Sequence, residues 1–182
     1  MPNTQNETQE QELAPEGSRA HLRTALKEFN TMMVATYDKK GKHPRLHARP
    51  LLVARVEEDC SLVFVTRMDD HKAVNGEMQP EDGTVIAQSL TRQVSMLGTI
   101  EYSTDRKLLN EAWKLPFNLF FGNGKDDPNV CLMVFKPRDA ELWDLSGKKG
   151  LKFLFDAAKS LIQRKTPDFT GDQHEKLKLH RA

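Results

Sequence analysis

The sequence predicts a mainly β protein: a closed or nearly closed antiparallel barrel with flanking α-helices. Two observations lead there. About seven apolar runs of strand length follow one another, most joined by short polar turns. Helical periodicity is confined to stretches at the ends and at the crossings between those runs. The 182-residue chain is of a size for one domain with appendages.

In chain order, residues 1–17 are rich in Gln, Glu and Asn and end in Pro15 and Gly17. They are expected to form a disordered tail, since they hold too little apolar surface to offset the entropy of ordering. Hydrophobic content over the whole chain is 38%, and such polar ends account for the low figure. Ser18 is a plausible N-cap for a helix carrying Leu22, Ala25, Leu26 and Phe29 at helical spacing. Thr31 to Tyr37 reads as a strand, closed by the turn Asp38-Lys39-Lys40-Gly41-Lys42.

The next strand starts at Arg45. In it Leu46, Ala48, Leu52, Ala54 and Val56 share one parity, and Arg45, His47 and Arg49 the other. Pro50 removes a ladder donor in mid-run, which implies an edge, a bulge or an interrupted pairing. After a turn at Glu57-Glu58-Asp59 comes the apolar strand Leu62 to Thr66. Asp69 to Met78 reads as a short helix and Gln79 to Gly83 as a loop. Strands are expected over Thr84 to Leu90 and Gln93 to Tyr102, turning at Thr91-Arg92. Thr104 or Asp105 caps a helix bearing Leu108, Leu109, Ala112 and Trp113, stopped near Pro116.

Beyond the loop GNGKDDPN, two strands are expected, Val130 to Phe135 and Ala140 to Leu145. The clearest helix follows Gly150, with Leu151, Leu154, Phe155, Ala158, Leu161 and Ile162 as its apolar stripe. The end is either a short strand through Leu177 and Leu179 or loose. The division is a tail at 1–17, a barrel domain at 18–149, and a helix with tail at 150–182.

Several function classes fall away. A formal net charge of +1 gives no global field for nucleic acid or anionic lipid. Cys60 and Cys131 have no metal or redox spacing, which suits a reducing compartment, and the start lacks the features of a signal peptide. A cytoplasmic protein is expected. Gly122-Asn-Gly124 begins like a dinucleotide fingerprint but places Asp127 at its third glycine and follows an aromatic run, so a surface loop is the better reading. His43 and His47 lack a third metal ligand at short spacing, and no serine or cysteine sits in a nucleophile elbow.

What remains is the stretch from Arg45 to Lys72. A hairpin brings the ends of its strands together, so Arg49, Thr66 and Lys72 can converge although separated in sequence. A guanidinium fork, an ammonium and a hydroxyl suit a phosphate.

The order and spacing of MMVATYDKKGKHPRLHARPL, LVFVTRMDDHKAV, QVSMLGTIEYSTDRKLLNEAW and FFGNGKDDPNVCLMVFKPRDAELWDL resemble the FMN-binding split barrels related to pyridoxamine 5′-phosphate oxidase, in their bacterial general stress protein branch. The resemblance runs from Phe29 to Leu145 and more loosely beyond. It implies an antiparallel split β-barrel, a homodimer, and one FMN in each of two clefts at the subunit interface. By this resemblance Arg49, Thr66 and Lys72 hold the FMN phosphate, with His71 where the oxidases carry another phosphate ligand. Pro50, Leu51 and Leu52 line the isoalloxazine ring, and Gln93 and Trp143 reach the flavin from the second subunit. Core packing alone is an equal account of Trp143, and the favoured one for Trp113.

In the oxidases the tryptophan strand continues into an R-L-H-x-R motif that binds substrate and flavin. Here Trp143 is followed by DLSGKKGLKFLF, which argues against oxidation of pyridoxamine phosphate itself. The resemblance therefore implies a flavin-dependent oxidoreductase of unknown substrate, with no protein group assigned as catalytic, or else a protein that binds, stores or senses flavin without turnover. A related barrel using haem or a deazaflavin is the more distant alternative.

Overall fold

Antiparallel pairing builds the sheet strand by strand, and the sheet closes on itself. The structure is a computed structural model that describes residues 14–38, 45–68, 73–74, 77–146 and 174–180. Its main strands are Thr31–Asp38 (β1), Arg45–Val56 (β2), Leu62–Arg67 (β3), Glu81–Gln88 (β6), Arg92–Ser103 (β7), Val130–Asp144 (β8) and His174–Lys178 (β9). Ala73–Val74 (β4) and Glu77–Met78 (β5) form a separate small ladder. The sheet order is β3-β2-β1-β6-β7-β8-β9, and β3 also pairs with β8. That last pairing closes six strands into an antiparallel barrel, leaving β9 on the outer margin of β8.

Two α-helices, Glu16–Leu26 (α1) and Arg106–Ala112 (α2), and two short 3-10 turns, Leu115–Leu119 and Gly124–Asp126, complete the described chain. Strand directions give the barrel two distinct ends. At one lie the β2–β3 turn, the start of β7 and the end of β8, and α1 is tied to all three. Arg23 pairs with Glu58, Arg92 with Glu28, and His21 Nε2 with Asp144 at 2.9 Å. Leu22, Ala25 and Leu26 of α1 thereby join Met32, Phe64, Met96, Ile100 and Phe135 in the main core. The opposite end, where β2 begins and β3 finishes, is a mouth.

A second core lies outside the barrel wall. Leu109 and Ala112 of α2, with Phe117 and Phe121 of the following turns, cover Ala54, Val63, Val65, Val130 and Leu132. β3 is accordingly buried on both faces, which its unbroken apolar run anticipates. Trp113 packs on this cluster, edge-on to Phe117 at 5.6 Å.

Four elements depart from the sequence reading. Helix α1 starts at Glu16 behind Pro15, not at Ser18; proline presets the backbone there and Glu16 suits the positive end of the helix. Within the span Asp69 to Met78 where a helix is expected, Ala73–Val74 and Glu77–Met78 are paired strands, on either side of the sequence Asn75-Gly76, a dipeptide that favours a two-residue hairpin. The β6–β7 turn is centred on Ser89, Leu90 and Thr91, with the Arg92 amide donating to Ser89 Oγ at 3.0 Å. The two strands expected after Asn129 are one, β8, whose register with β7 shifts between Leu97 and Gly98, beside Pro137. Pro137 cannot donate to the ladder, and a Cβ on Gly98 would stand 2.2 Å from the Lys136 carbonyl oxygen.

The chain end does form a strand, β9. The helix expected at residues 151–162, the bulk of the 1–17 tail, and His71 and Lys72 lie outside the described residues.

Candidate functional site

Residues directly opposite in an antiparallel ladder share a face, so the β1–β2 register fixes the orientation of Arg49. Arg49 stands opposite Val34 and Leu51 opposite Met32, both partners buried in the main core. The basic parity of β2 therefore faces the barrel interior at its mouth. The apolar parity, Leu46, Ala48, Pro50 and Leu52, faces outward.

Thr66 reaches the same mouth from β3. It is buried and lies opposite Cys131. Tyr102, near the end of β7, donates to Glu81 Oε1 at 2.6 Å. Burial raises the Tyr102 phenol, the Glu81 carboxylate adds to this, and Arg49 pulls it part of the way back. Arg49, Thr66, Tyr102 and Glu81 thus gather at one end of the barrel. Burial also pushes the Cys131 thiol up to about 11, against a smaller opposing effect of Arg106, and it raises Cys60. Both thiols stay protonated at neutral pH, consistent with the absence of a nucleophile signature.

The wall is open where these residues meet. Pairing of β2 with β3 runs only from Val56–Leu62 to Val53–Phe64, with an irregularity between Val53 and Arg55. From Leu52 back to Arg49 no β3 partner continues the ladder, and Pro50 has no N–H to offer one. Lys114 Nζ reaches the Val53 carbonyl at 3.3 Å, so the segment after α2 borders the same seam. The backbone of 49–52 thus lies at an unzipped edge, with Arg49 and Leu51 on its inner face and Leu52 on its outer face, the kind of place where a planar ligand with an anionic tail can dock.

Gln93 and Trp143 lie elsewhere. They are direct partners across β7 and β8, on the outer face near the α1 end. Gln93 is exposed, Trp143 is half-buried, and neither belongs to either core cluster. Among the described residues, Trp143 therefore packs in neither core. Its ring stacks on His174 of β9, with centroids 4.5 Å apart and planes 5° from parallel. Leu52 and Gln93 are separated by β1 and β6, roughly 14 Å along the sheet at ordinary strand spacing. Within one chain the two halves of the expected site do not meet.

The loop GNGKDDPN is a structural turn. Arg106 donates to the carbonyls of Asp127, Pro128 and Val130, and Gly124 takes φ +68°. Among the described residues no group of His, Cys, Asp and Glu could hold a metal ion, and no helix is long and apolar enough to cross a membrane. The sequence reading missed His174, Tyr102 and Lys114. Only Tyr102 left a trace, as an aromatic on the inward parity of β7.

A closed antiparallel barrel with an unzipped basic corner defines a split-barrel protein. The family model described as pyridoxamine 5′-phosphate oxidase like matches residues 17–168, and the chain belongs to that family. Among solved structures, one assigned to general stress protein 26 from Jannaschia sp. CCS1 is 26% identical with a TM-score of 0.63, covering 89% of this chain and 99% of that one. The general stress FMN/FAD binding protein from Xanthomonas citri is similar in fold, at 23% identity and a TM-score of 0.57, covering 74% and 93%. General Stress Protein 26 from Bacillus anthracis str. Sterne shares the fold at 18% and 0.52, covering 67% and 93%. A search of curated proteins gives no match.

Proposed function

We propose that the protein is an FMN-binding flavoprotein, a homodimer with a flavin in each of two interface clefts, acting as a flavin-dependent oxidoreductase. One observation carries the reading. Between the Arg49–Leu52 seam and the Gln93–Trp143 row, the outer face of the barrel carries a group of exposed apolar side chains, interspersed with Thr84 and Ser95. Met33 lies between Pro50 and Ile86 in the ladders, Tyr37 lies opposite Leu46, and Leu97 opposite Thr84. Met33, Tyr37, Leu46, Ile86 and Leu97 are 40–59% exposed. A patch of this kind marks an interface. A twofold axis through its middle would lay one chain's seam against the partner's Gln93 and Trp143, and the reverse. The two separated half-sites then become two complete ones.

The residues suit the group. Arg49 and Thr66 would take the phosphate, with His71 and Lys72 as further ligands, and Pro50, Leu51 and Leu52 would line the ring. Gln93 and Trp143 would close the cleft from the second chain. Flavin, when bound, supplies hydride and electron transfer, while the protein sets orientation and excludes water. The Xanthomonas citri relative, described as binding FMN or FAD, supports a flavin.

The protein as purified should be yellow with flavin absorbance bands. Arg49→Ala with Lys72→Ala should abolish FMN retention and leave the dimer folded; undiminished affinity would refute the phosphate assignment. Rapid anaerobic bleaching by NADH or NADPH is the expected mark of turnover. A non-catalytic flavin-binding protein is the second reading. It is favoured by Asp144, which follows Trp143 where the oxidases turn basic and is held by His21 and by Arg92 Nε at 2.9 Å in each case. Failure of every nicotinamide or small reductant to bleach the flavin would select it.

A further inference from the structure

We propose that His174 is the positioning residue for Trp143 and makes the tryptophan side of the flavin cleft respond to protonation; this rests on the flavin reading above. Among the described residues, Trp143 stands outside both cores. What holds it among the described residues is a second flat ring, from a strand remote in sequence. Gln93, Trp143 and His174 are consecutive cross-strand partners over β7, β8 and β9 and form one row. The imidazole lies parallel to the indole at 4.5 Å between centroids. Its own orientation is fixed from the edge, with Nε2 3.3 Å from Glu141 Oε2.

Glu141 is suited to that task. Lys176, with Nζ at 3.1 Å, and then His174 hold its carboxyl below the usual range, so it remains an acceptor for an imidazole N–H. Among the described residues, the charged groups that face His174 are Glu141 from β8 and Lys176 from β9. The Lys178–Asp139 pair lies further along the same face. Glu175 and His21, bonded to each other, lie on the other face of β9, toward α1.

The consequence is chemical. Neutral imidazole stacks on indole as one aromatic ring on another, whereas imidazolium over the indole face is a cation–π pair. The protonated ring also quenches indole emission. The R-L-H-x-R motif that the oxidases carry just after this tryptophan is replaced here by DLSGKKGLKFLF, and β9 supplies an ionisable ring from the other side.

The test uses the full chain with Trp113→Phe, which leaves Trp143 as the sole indole. Its emission should fall on acidification. His174→Phe keeps a stacked ring and should remove that pH step. His174→Ala should remove the step and weaken FMN about fivefold, the worth of one aromatic pair, while His174→Phe restores most of the affinity. An emission that ignores pH in the Trp113→Phe protein overturns the proposal. So does wild-type FMN affinity in His174→Ala when Arg49→Ala has lost it, in which case the flavin reading stands without this part. If the unaltered protein fails to bind FMN in the same titration, both fall together.

Discussion

The two halves of the candidate site are built in opposite ways. At Arg49–Leu52 and Thr66 the chemistry sits where hydrogen-bonded pairing stops: β2 leaves β3 beyond Val53, and Pro50 has no donor to resume with. At Gln93, Trp143 and His174 it sits where pairing is unbroken across three strands. The first region offers backbone groups and a fixed charge, the second only side chains standing off a continuous sheet. Neither encloses anything by itself. In the proposed dimer, the exposed apolar side chains between them would bring each half against the second chain's other half.

The sharpest way to break this comparison is to disable one half per chain. Arg49→Ala homodimers should lose FMN, and Trp143→Ala homodimers should bind it weakly. Co-expressed, the two variants form mixed dimers in which one cleft has both lesions and the other has none. Random pairing should then return roughly a quarter of all clefts to wild-type affinity, as an isologous twofold requires. Equilibrium titration with FMN reads the fraction. Recovery of no cleft would place both residues in one chain's site, against the separation along the sheet.

A smaller effect tests whether the continuous half depends on the bend in β8. A Cβ on Gly98 would meet only backbone, the Lys136 carbonyl oxygen at 2.2 Å and Pro137 Cα at 2.8 Å. On Gly83 it would meet Ile100 Cδ1 at 2.4 Å, the far end of a side chain that can turn away. Gly98→Ala should therefore cost about 3 kcal/mol and Gly83→Ala about 1 kcal/mol, the range for overpacking in a filled interior. Urea denaturation of the two variants checks the order. Equal losses would mean that the strand gives way at Gly98.

Much of the barrel was legible because β2 and β7 carry period-two alternation between turn residues, while β1 and β3 are apolar, β-rich runs of strand length. The mouth residues were legible as a group because hairpin connectivity brings Arg49 and Thr66 to one end. Alternation separates the two parities of β2 but does not say which faces inward. The apolar one, with Leu46 59% exposed, faces out, since the outer face is itself an apolar surface. The bend at Pro137 read as a break, because a missing donor looks the same in sequence whether a strand ends or swerves. His174 left no signal: its role exists only through the register of β9 on β8, a tertiary fact.

The α1 end should show its own pH window. Burial works against the Asp144 carboxylate, but Ser146, His21 and Arg92 together hold it at about 2, below the ordinary 3.8. A depressed carboxyl contributes stability above pH 3.8 that is lost as pH falls toward 2. His21 is opposed by burial yet raised overall from 6.5 by Asp144 and Glu175. Its contribution is full below 6.5 and fades as pH rises through the raised value. Docking of α1 should therefore be firmest between these limits. His21 is 40% exposed, so solvent screening holds the alkaline loss to about 0.5 kcal/mol. His21→Gln should flatten that limb in a series of melting temperatures against pH; an unchanged limb would assign it to another group.

The smallest effect concerns the turn that joins the two strands of the open half. Cys60 takes φ +68°, the left-handed region that glycine occupies freely, and closes the turn with its amide donating to the Glu57 carbonyl at 3.2 Å. Glycine would be the natural occupant, yet the Cys60 side chain is buried against α1, Sγ lying 3.6 Å from the Arg19 carbonyl. Cys60→Gly should relieve about 1 kcal/mol of left-handed strain while giving up a similar amount of burial, leaving stability near that of the wild type. Cys60→Ala keeps the strain and loses the burial, so it should be less stable than the glycine variant by about 1 kcal/mol. That ordering reverses the usual preference for alanine over glycine in regular structure. Alanine at least as stable as glycine in chemical denaturation would mean that the turn relaxes out of the left-handed region, and that packing on α1 alone keeps a cysteine there.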